Sequence, residues 1–234
     1  MIIDFSTNQI NDCIVRFDQE EGLKERILEL SFKKTLHISQ ETALIRVTLL
    51  NTFYSTRLNN TIPDSDDKTD ETKKPMIDVM SMAERIAGEP DLYIKMTGNE
   101  DEKFEAIRYI AKGKNTKEKT GEENWDTRFK DAWSFASKYC SFCCPNSYPI
   151  MDRYSKGMLY RIAKQIEKDK HQQLGGRTYT KKDMDDYKTF CEVHRAFRAL
   201  INKTLGIEYT TKDIDKYLWY YGKKYNIDIE RAFK

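Results

Sequence analysis

The sequence predicts an all-α protein, on three observations. Apolar residues recur at intervals of three and four along most of the chain. Capping signals stand at the starts of several of these runs. The alternation of a half-buried strand is almost missing: "TLLNTFYS" has strand propensity, but its flanks continue a helical period. With 234 residues the chain is long enough to bury a proper core.

Taken in order, Leu23, Ile27, Leu28, Leu30 and Phe32 predict an amphipathic helix over 21–36. The next run, "SQETALIRVTLLNTFY" (39–54), has Ser39 as its cap and is apolar nearly all round, which predicts a central helix. Pro75 opens "PMIDVMSMAERIAG" and Gly88 closes it. A helix over 101–112 stops near Gly113. Trp125, Phe129, Trp133, Ala136, Tyr139 and Cys140 predict a long helix over 123–142. Met158, Leu159, Ile162 and Ile166 predict another over 152–168. Two later helices, 181–204 and 211–225, have matching starts, Thr180 with Asp183 and Thr210 with Asp213, spaced as capping boxes. Two polar insertions, 59–74 and 112–124, read as loops.

Bulk composition removes several classes. The net charge of +2 excludes a bulk polycation, so any nucleic-acid surface depends on how 40 basic residues are distributed. No apolar run approaches the ~20 residues that span a bilayer. The start is too polar for a signal peptide, and five cysteines, an odd number, do not read as a disulfide scaffold. A cytoplasmic, reduced protein without a membrane partner is the expectation.

Cys140, Cys143 and Cys144 make a C-x-x-C-C cluster with no second pair at metal-binding spacing, so no metal is expected. No nucleophile elbow, P-loop or dinucleotide fingerprint is present, and no cofactor is expected. The strongest feature is a lone acid, Asp152, in "CCPNSYPIMDRYSKGMLYR". It opens a helix after a turn bracketed by Pro145 and Pro149, and reads either as a helix cap or as a catalytic acid. Arg153, Lys156 and Arg161 share its helix, while Lys112 and Lys114 lie in or beside an insertion; they read as phosphate contacts or as a solvated face. In "LLNTFYSTRLNN", Asn51, Phe53, Tyr54 and Arg57 suit stacking on a base and reading its edge, or an ordinary core that ends at a surface.

The order of these features resembles the helix-hairpin-helix DNA glycosylase superfamily, the group of endonuclease III and the 8-oxoguanine glycosylases. "VTLLNTFYST" is similar to the family's apolar helix that ends at the DNA, and "MTGNEDEKFEAIRYIA" to the short segment that follows. "YPIMDRYSKGMLYR" is similar to the family's stretch around its catalytic Asp, which falls on Asp152. "SFASKYCSF" and "IDKYLWYYGKK" also resemble a set of small bacterial proteins, and anti-phage glycosylases that remove a hypermodified base are a related possibility. The resemblance covers roughly 40–222. The family's hairpin glycines are missing from "GEENWDTRFKDAW", and its four-cysteine cluster is absent after residue 191.

The resemblance implies a single all-α domain with a two-lobed glycosylase-like fold and a degenerate hairpin. Its lobes would be about 40–140, and 1–39 with 141–234. It implies a monofunctional DNA glycosylase that extrudes a modified or damaged base from double-stranded DNA and leaves an abasic site, in base excision or in antiviral defence against glucosylated cytosine. Asp152 would be catalytic. Asn51, Phe53, Tyr54, Trp133 and Trp219 would form the base pocket. Arg57, Lys112, Lys114, Arg128, Lys130, Arg153, Lys156 and Arg161 would hold the DNA backbone, with Lys130 nearest the family's lyase lysine. A non-catalytic DNA-binding module and a helical protein-interaction domain remain open beside it.

Overall fold

The structure, a computed structural model, describes residues 2–33, 38–54, 56, 58, 77–113, 131–170 and 173–227. Among these residues the protein is all-α, with nine α-helices, two short 3₁₀ turns and no strand. The helices gather into two compact units: residues 1–25 with 145–234, and residues 26–144. The first limit falls inside α1 (Thr7–Ser31) and the second in the turn that leads to Asp152. The lobes read from the sequence, divided at 39/40 and 140/141, have different limits.

In the second unit the most deeply buried helix is α6 (Trp133–Cys143), in which every residue from Phe135 to Cys143 is buried. The sequence places the central helix at α2 rather than at α6. In α2 (Gln40–Tyr54) only one face, with Ala43, Arg46, Val47 and Leu50, is inside, and Ile45 stands exposed. Arg46 is itself buried, because its guanidinium donates to the carbonyls of Ser31 (3.0 Å) and Lys33 (2.9 Å) at the end of α1. Those carbonyls have no partner inside their helix, so a fork-shaped cation suits them.

α3 (Val79–Ala87) starts at Asp78, not at Pro75, which lies outside the described residues; the Asp78 carboxylate accepts from the Ser81 N–H (2.9 Å) and hydroxyl (2.6 Å). α4 (Leu92–Thr97), unrecognised in the sequence because it is a six-residue piece, is followed by α5 (Glu100–Lys112). Asn99 and Glu102 form a full capping box at the start of α5. Its end uses Gly113 at φ 73°, where a Cβ would stand 2.7 Å from the Arg85 guanidinium that donates to the Ile110 carbonyl. Of the helix predicted over 123–142, residues 123–130 lie outside the described residues, Asp131 and Ala132 are not helical, and α6 begins at Trp133.

The first unit is built on α7 (Arg153–Lys170), α8 (Tyr187–Leu205), α9 (Thr211–Lys224) and the first part of α1. Tyr187, Phe190, Val193, His194, Phe197 and Ile201 form the buried stripe of α8. Thr180 and Asp183 do bond as a box, but they open only a 3₁₀ turn, Lys182–Asp185; α8 restarts at Tyr187 with Asp186 as its cap. Gly206 in the left-handed region (φ 68°) ends α8, and the Thr210–Asp213 box opens α9. α9 lies close against α7: a Cβ on Gly222 would be 3.0 Å from Tyr154 Cβ.

Candidate functional site

The turn before α7 contains two prolines, which remove two backbone donors and keep the chain out of a helix. Side chains of α8 and α9 tie it down at three points. Thr211 donates its hydroxyl to the Asn146 carbonyl (3.1 Å), and Tyr187 donates its hydroxyl to the Pro149 carbonyl (3.0 Å). Both carboxylate oxygens of Asp215 accept from the Ile150 N–H, at 3.2 and 3.1 Å. Tyr148 and Met151 are buried on either side of this last contact.

Asp152 follows two residues later. Its Oδ1 accepts from the N–H groups of Tyr154 and Ser155, each at 2.9 Å, and from the Ser155 hydroxyl at 3.1 Å. The Lys156 N–H bonds the Asp152 carbonyl (3.0 Å) and begins the helical ladder of α7. Asp152 is therefore an N-cap, with only 9% of its surface exposed. Three donors aimed at one oxygen fix the rotamer of the carboxylate.

Behind this turn is a buried pair. His194 Nε2 lies 3.1 Å from Asp215 Oδ1, and both side chains are almost wholly enclosed. Burial is the main cause that raises the Asp215 carboxyl above the usual carboxylate range; His194 and the Ile150 amide pull the other way, and the charge of Asp152 adds to the rise. The sequence reading overlooked Asp215, His194 and Tyr187. Their signal was present: Asp215 interrupts the inward stripe Ile214, Tyr217, Leu218, Tyr221 of α9, and His194 interrupts that of α8. A titratable residue on an apolar face needs a partner, and here each is near the other.

The residues expected to read a base have local duties. Asn51 Oδ1 accepts from Thr56 Oγ1 (2.9 Å) and the Leu58 N–H (3.1 Å), so its amide fastens the chain just after α2. Tyr54 lies beside Phe142, with ring centroids 6.1 Å apart, and 5.9 Å from the buried Lys138 ammonium. Trp133 stacks on Phe104 at 6.5 Å, and Phe53 is half-buried. All four belong to the second unit, whereas Trp219 belongs to the first. Trp219 meets Phe17 edge to face at 5.4 Å, with Lys223 4.4 Å above its ring.

Of the expected backbone contacts, Lys156 is 2.5 Å from Asp185 and Lys112 is 3.1 Å from Asp131. Arg153 is exposed and lies over its neighbour's ring, with Nη2 2.8 Å from the Tyr154 hydroxyl. Arg161 is half-exposed on the same helix and has no ion pair among the described residues. Arg57, Lys114, Arg128 and Lys130 lie outside the described residues.

Cys140 and Cys143 are deep in α6, where burial pushes the Cys143 thiol up to about 12 and Cys140 well above its ordinary value. Protonated, enclosed thiols are poor nucleophiles and poor ligands. Among the described residues no group of three or more His, Cys, Asp or Glu is placed to hold a metal ion. No described helix is long and apolar enough to cross a membrane.

No family profile matches the chain, and no solved structure matches it. A Haemophilus influenzae protein described as uncharacterized is 32% identical over 104 residues. The aligned stretch covers 44% of this chain and 43% of that protein, so less than half of either is compared.

Proposed function

We propose that the protein is a DNA N-glycosylase without lyase activity, in which Asp152 serves the cleavage of the base–sugar bond. The observation that carries this reading is a carboxylate held in one rotamer, nearly enclosed, at the first turn of an 18-residue helix. As the C1′–N bond lengthens, positive charge builds on the deoxyribose. A fixed carboxylate in a poorly hydrated place stabilises that charge without having to reorganise. Water adds to C1′, with Asp152 orienting it and accepting its proton, and the departing base takes up a proton from solvent. The target must first leave the stack, at a cost of a few kcal/mol. Arg153 and Arg161, on the same helix, would meet the phosphates on either side.

The same three hydrogen bonds favour a second reading, in which Asp152 is a helix cap and nothing more. Excision separates the two. Purified protein is incubated with ordinary DNA, DNA with common lesions, and DNA with hypermodified cytosine; alkali then converts abasic sites into strand breaks. The glycosylase reading expects breaks in one of these substrates and none with Asp152→Asn. Breaks at equal rate with Asp152→Asn, or none in any substrate with wild type, leave Asp152 as a cap.

A further inference from the structure

Asp215 and His194 pose a physical question. A carboxylate and an imidazole are taken out of water and set 3.1 Å apart in a helical core, at 5% and 1% side-chain exposure. Such pairs contribute little to stability, because desolvation offsets their attraction, and apolar residues of like volume often serve as well. The rise in the Asp215 carboxyl, with burial as the largest cause, points the same way. What the pair does hold is one point: the Ile150 amide, two residues before Asp152, centred between both oxygens of Asp215 at 3.2 and 3.1 Å.

Ile150 is where a hold has most effect. The preceding residue is Pro149, without an N–H, so the Ile150 amide is the first backbone donor after it that can fasten this stretch. Tyr187 takes the Pro149 carbonyl at 3.0 Å, and Asp215 takes the next N–H, so both faces of that peptide unit are fixed by the core of the first unit. Only Met151, itself buried, separates this peptide from the acid. Consecutive Cα atoms are ~3.8 Å apart, so Ile150 lies two short steps from Asp152, and a shift there moves the segment that carries the acid.

We propose that Asp215, supported by His194, is a positioning residue that sets the place of the Asp152 carboxylate through the Ile150 amide. The inference rests on the glycosylase reading for its functional consequence, but the brace itself is a statement about the turn. Asp215 touches neither base nor sugar in this scheme; it acts through the backbone. His194 packs against Asp215, its Nε2 3.1 Å from Oδ1 without a directed hydrogen bond, and its loss opens room for the carboxylate to leave Ile150.

Two measurements on the full chain test it. The first is amide hydrogen exchange at Ile150, followed by NMR. Protection at Ile150 falls in Asp215→Ala while that of the α8 and α9 core amides is kept, and Asp215→Asn, which retains an acceptor oxygen, restores it. The second is single-turnover excision on the substrate that wild type cleaves. Asp215→Ala lowers the chemical rate by about 10- to 100-fold with DNA affinity held, as expected for a misplacement of a fraction of an ångström to 1 Å. Asp215→Asn recovers most of that loss, and His194→Phe falls between the two.

Unchanged Ile150 exchange in Asp215→Ala overturns the proposal, as does an Asn variant no better than Ala in both assays. If Ala fails to fold, a His194→Phe variant with wild-type exchange and rate overturns it equally. A wild type that excises nothing refutes the glycosylase reading instead, and the exchange result then decides the brace alone.

Discussion

Replacing Asp152 separates its two possible duties, because they depend on different properties of one side chain. Capping needs an acceptor oxygen, whereas stabilising a sugar cation needs a charge. In Asp152→Ala the amides of Tyr154 and Ser155 and the Ser155 hydroxyl lose their shared acceptor, and Ser155 is fully enclosed. Loss of a cap costs about 1–2 kcal/mol, and an enclosed donor left unpaired costs about 1–3 kcal/mol. A total of about 3 kcal/mol follows for Ala. Asn keeps one acceptor oxygen in place and loses the favourable interaction of the charge with the helix end, about 0.3–1 kcal/mol. For a chain of this size 1 kcal/mol moves Tm by about 2–4 °C. Thermal melting should therefore drop by about 6–12 °C for Ala and by no more than about 4 °C for Asn. Excision should fall at least ~100-fold in both, the usual scale for removing a group that stabilises transition-state charge. Equal melting losses would refute the capping geometry. An Asn variant that still excises at the wild-type rate would refute the catalytic role.

Three further outcomes follow from the packing. Arg46→Ala removes two charge-assisted bonds to the end of α1 and should cost about 3 kcal/mol in urea unfolding, with Arg46→Lys giving little recovery because an ammonium lacks the fork. Gly222→Ala adds a Cβ 3.0 Å from Tyr154 Cβ and 3.1 Å from Met158 Cγ; overpacking of about 1–3 kcal/mol is partly offset by about 1 kcal/mol of helix propensity. Since Tyr154 supplies one of the donors to Asp152, excision by this variant should fall by more than its small loss in melting temperature implies. Asp215 gives a pH signature. Its folded carboxyl is raised, so the folded state holds the proton more tightly than the unfolded chain, and the associated stability is lost as pH rises through the folded value. Asp215→Asn has no such proton to lose, so its stability relative to wild type should improve from pH 4, the ordinary carboxylate range, towards neutrality; a constant difference across that range would count against the raised value.

Helix periodicity was legible because it needs only neighbours in sequence. The Thr210–Asp213 box follows directly from spacing, and the structure has it. Errors arise where a longer-range partner decides. Arg46 breaks no pattern as read, yet it is inside because the end of α1 presents two carbonyls to it. Ile45, which makes α2 look apolar all round, stands on the exposed face of the helix, so an apolar residue there says nothing of which side is inside. Thr180 and Asp183 make a correct local bond at the head of a turn that does not continue, since Asp186 offers the next amides a second cap.

Legibility of the site divides along the same line. Asp152 was visible because a proline-bounded turn, an acid and a helical run stand next to one another in the chain. Asp215 was invisible as a partner, since 65 residues separate it from Ile150 and no spacing rule spans such a gap. It was visible only as an anomaly, an acid on an inward face, and an anomaly of that kind is a demand for a contact somewhere else. The buried His194 makes the same demand from α8. Read together, two titratable residues on two inward stripes imply that the helices meet there and that something between them needs a strong acceptor. That something is the peptide ahead of Asp152. The residue with the conspicuous motif thus depends on residues whose only mark is that they stand where apolar side chains belong.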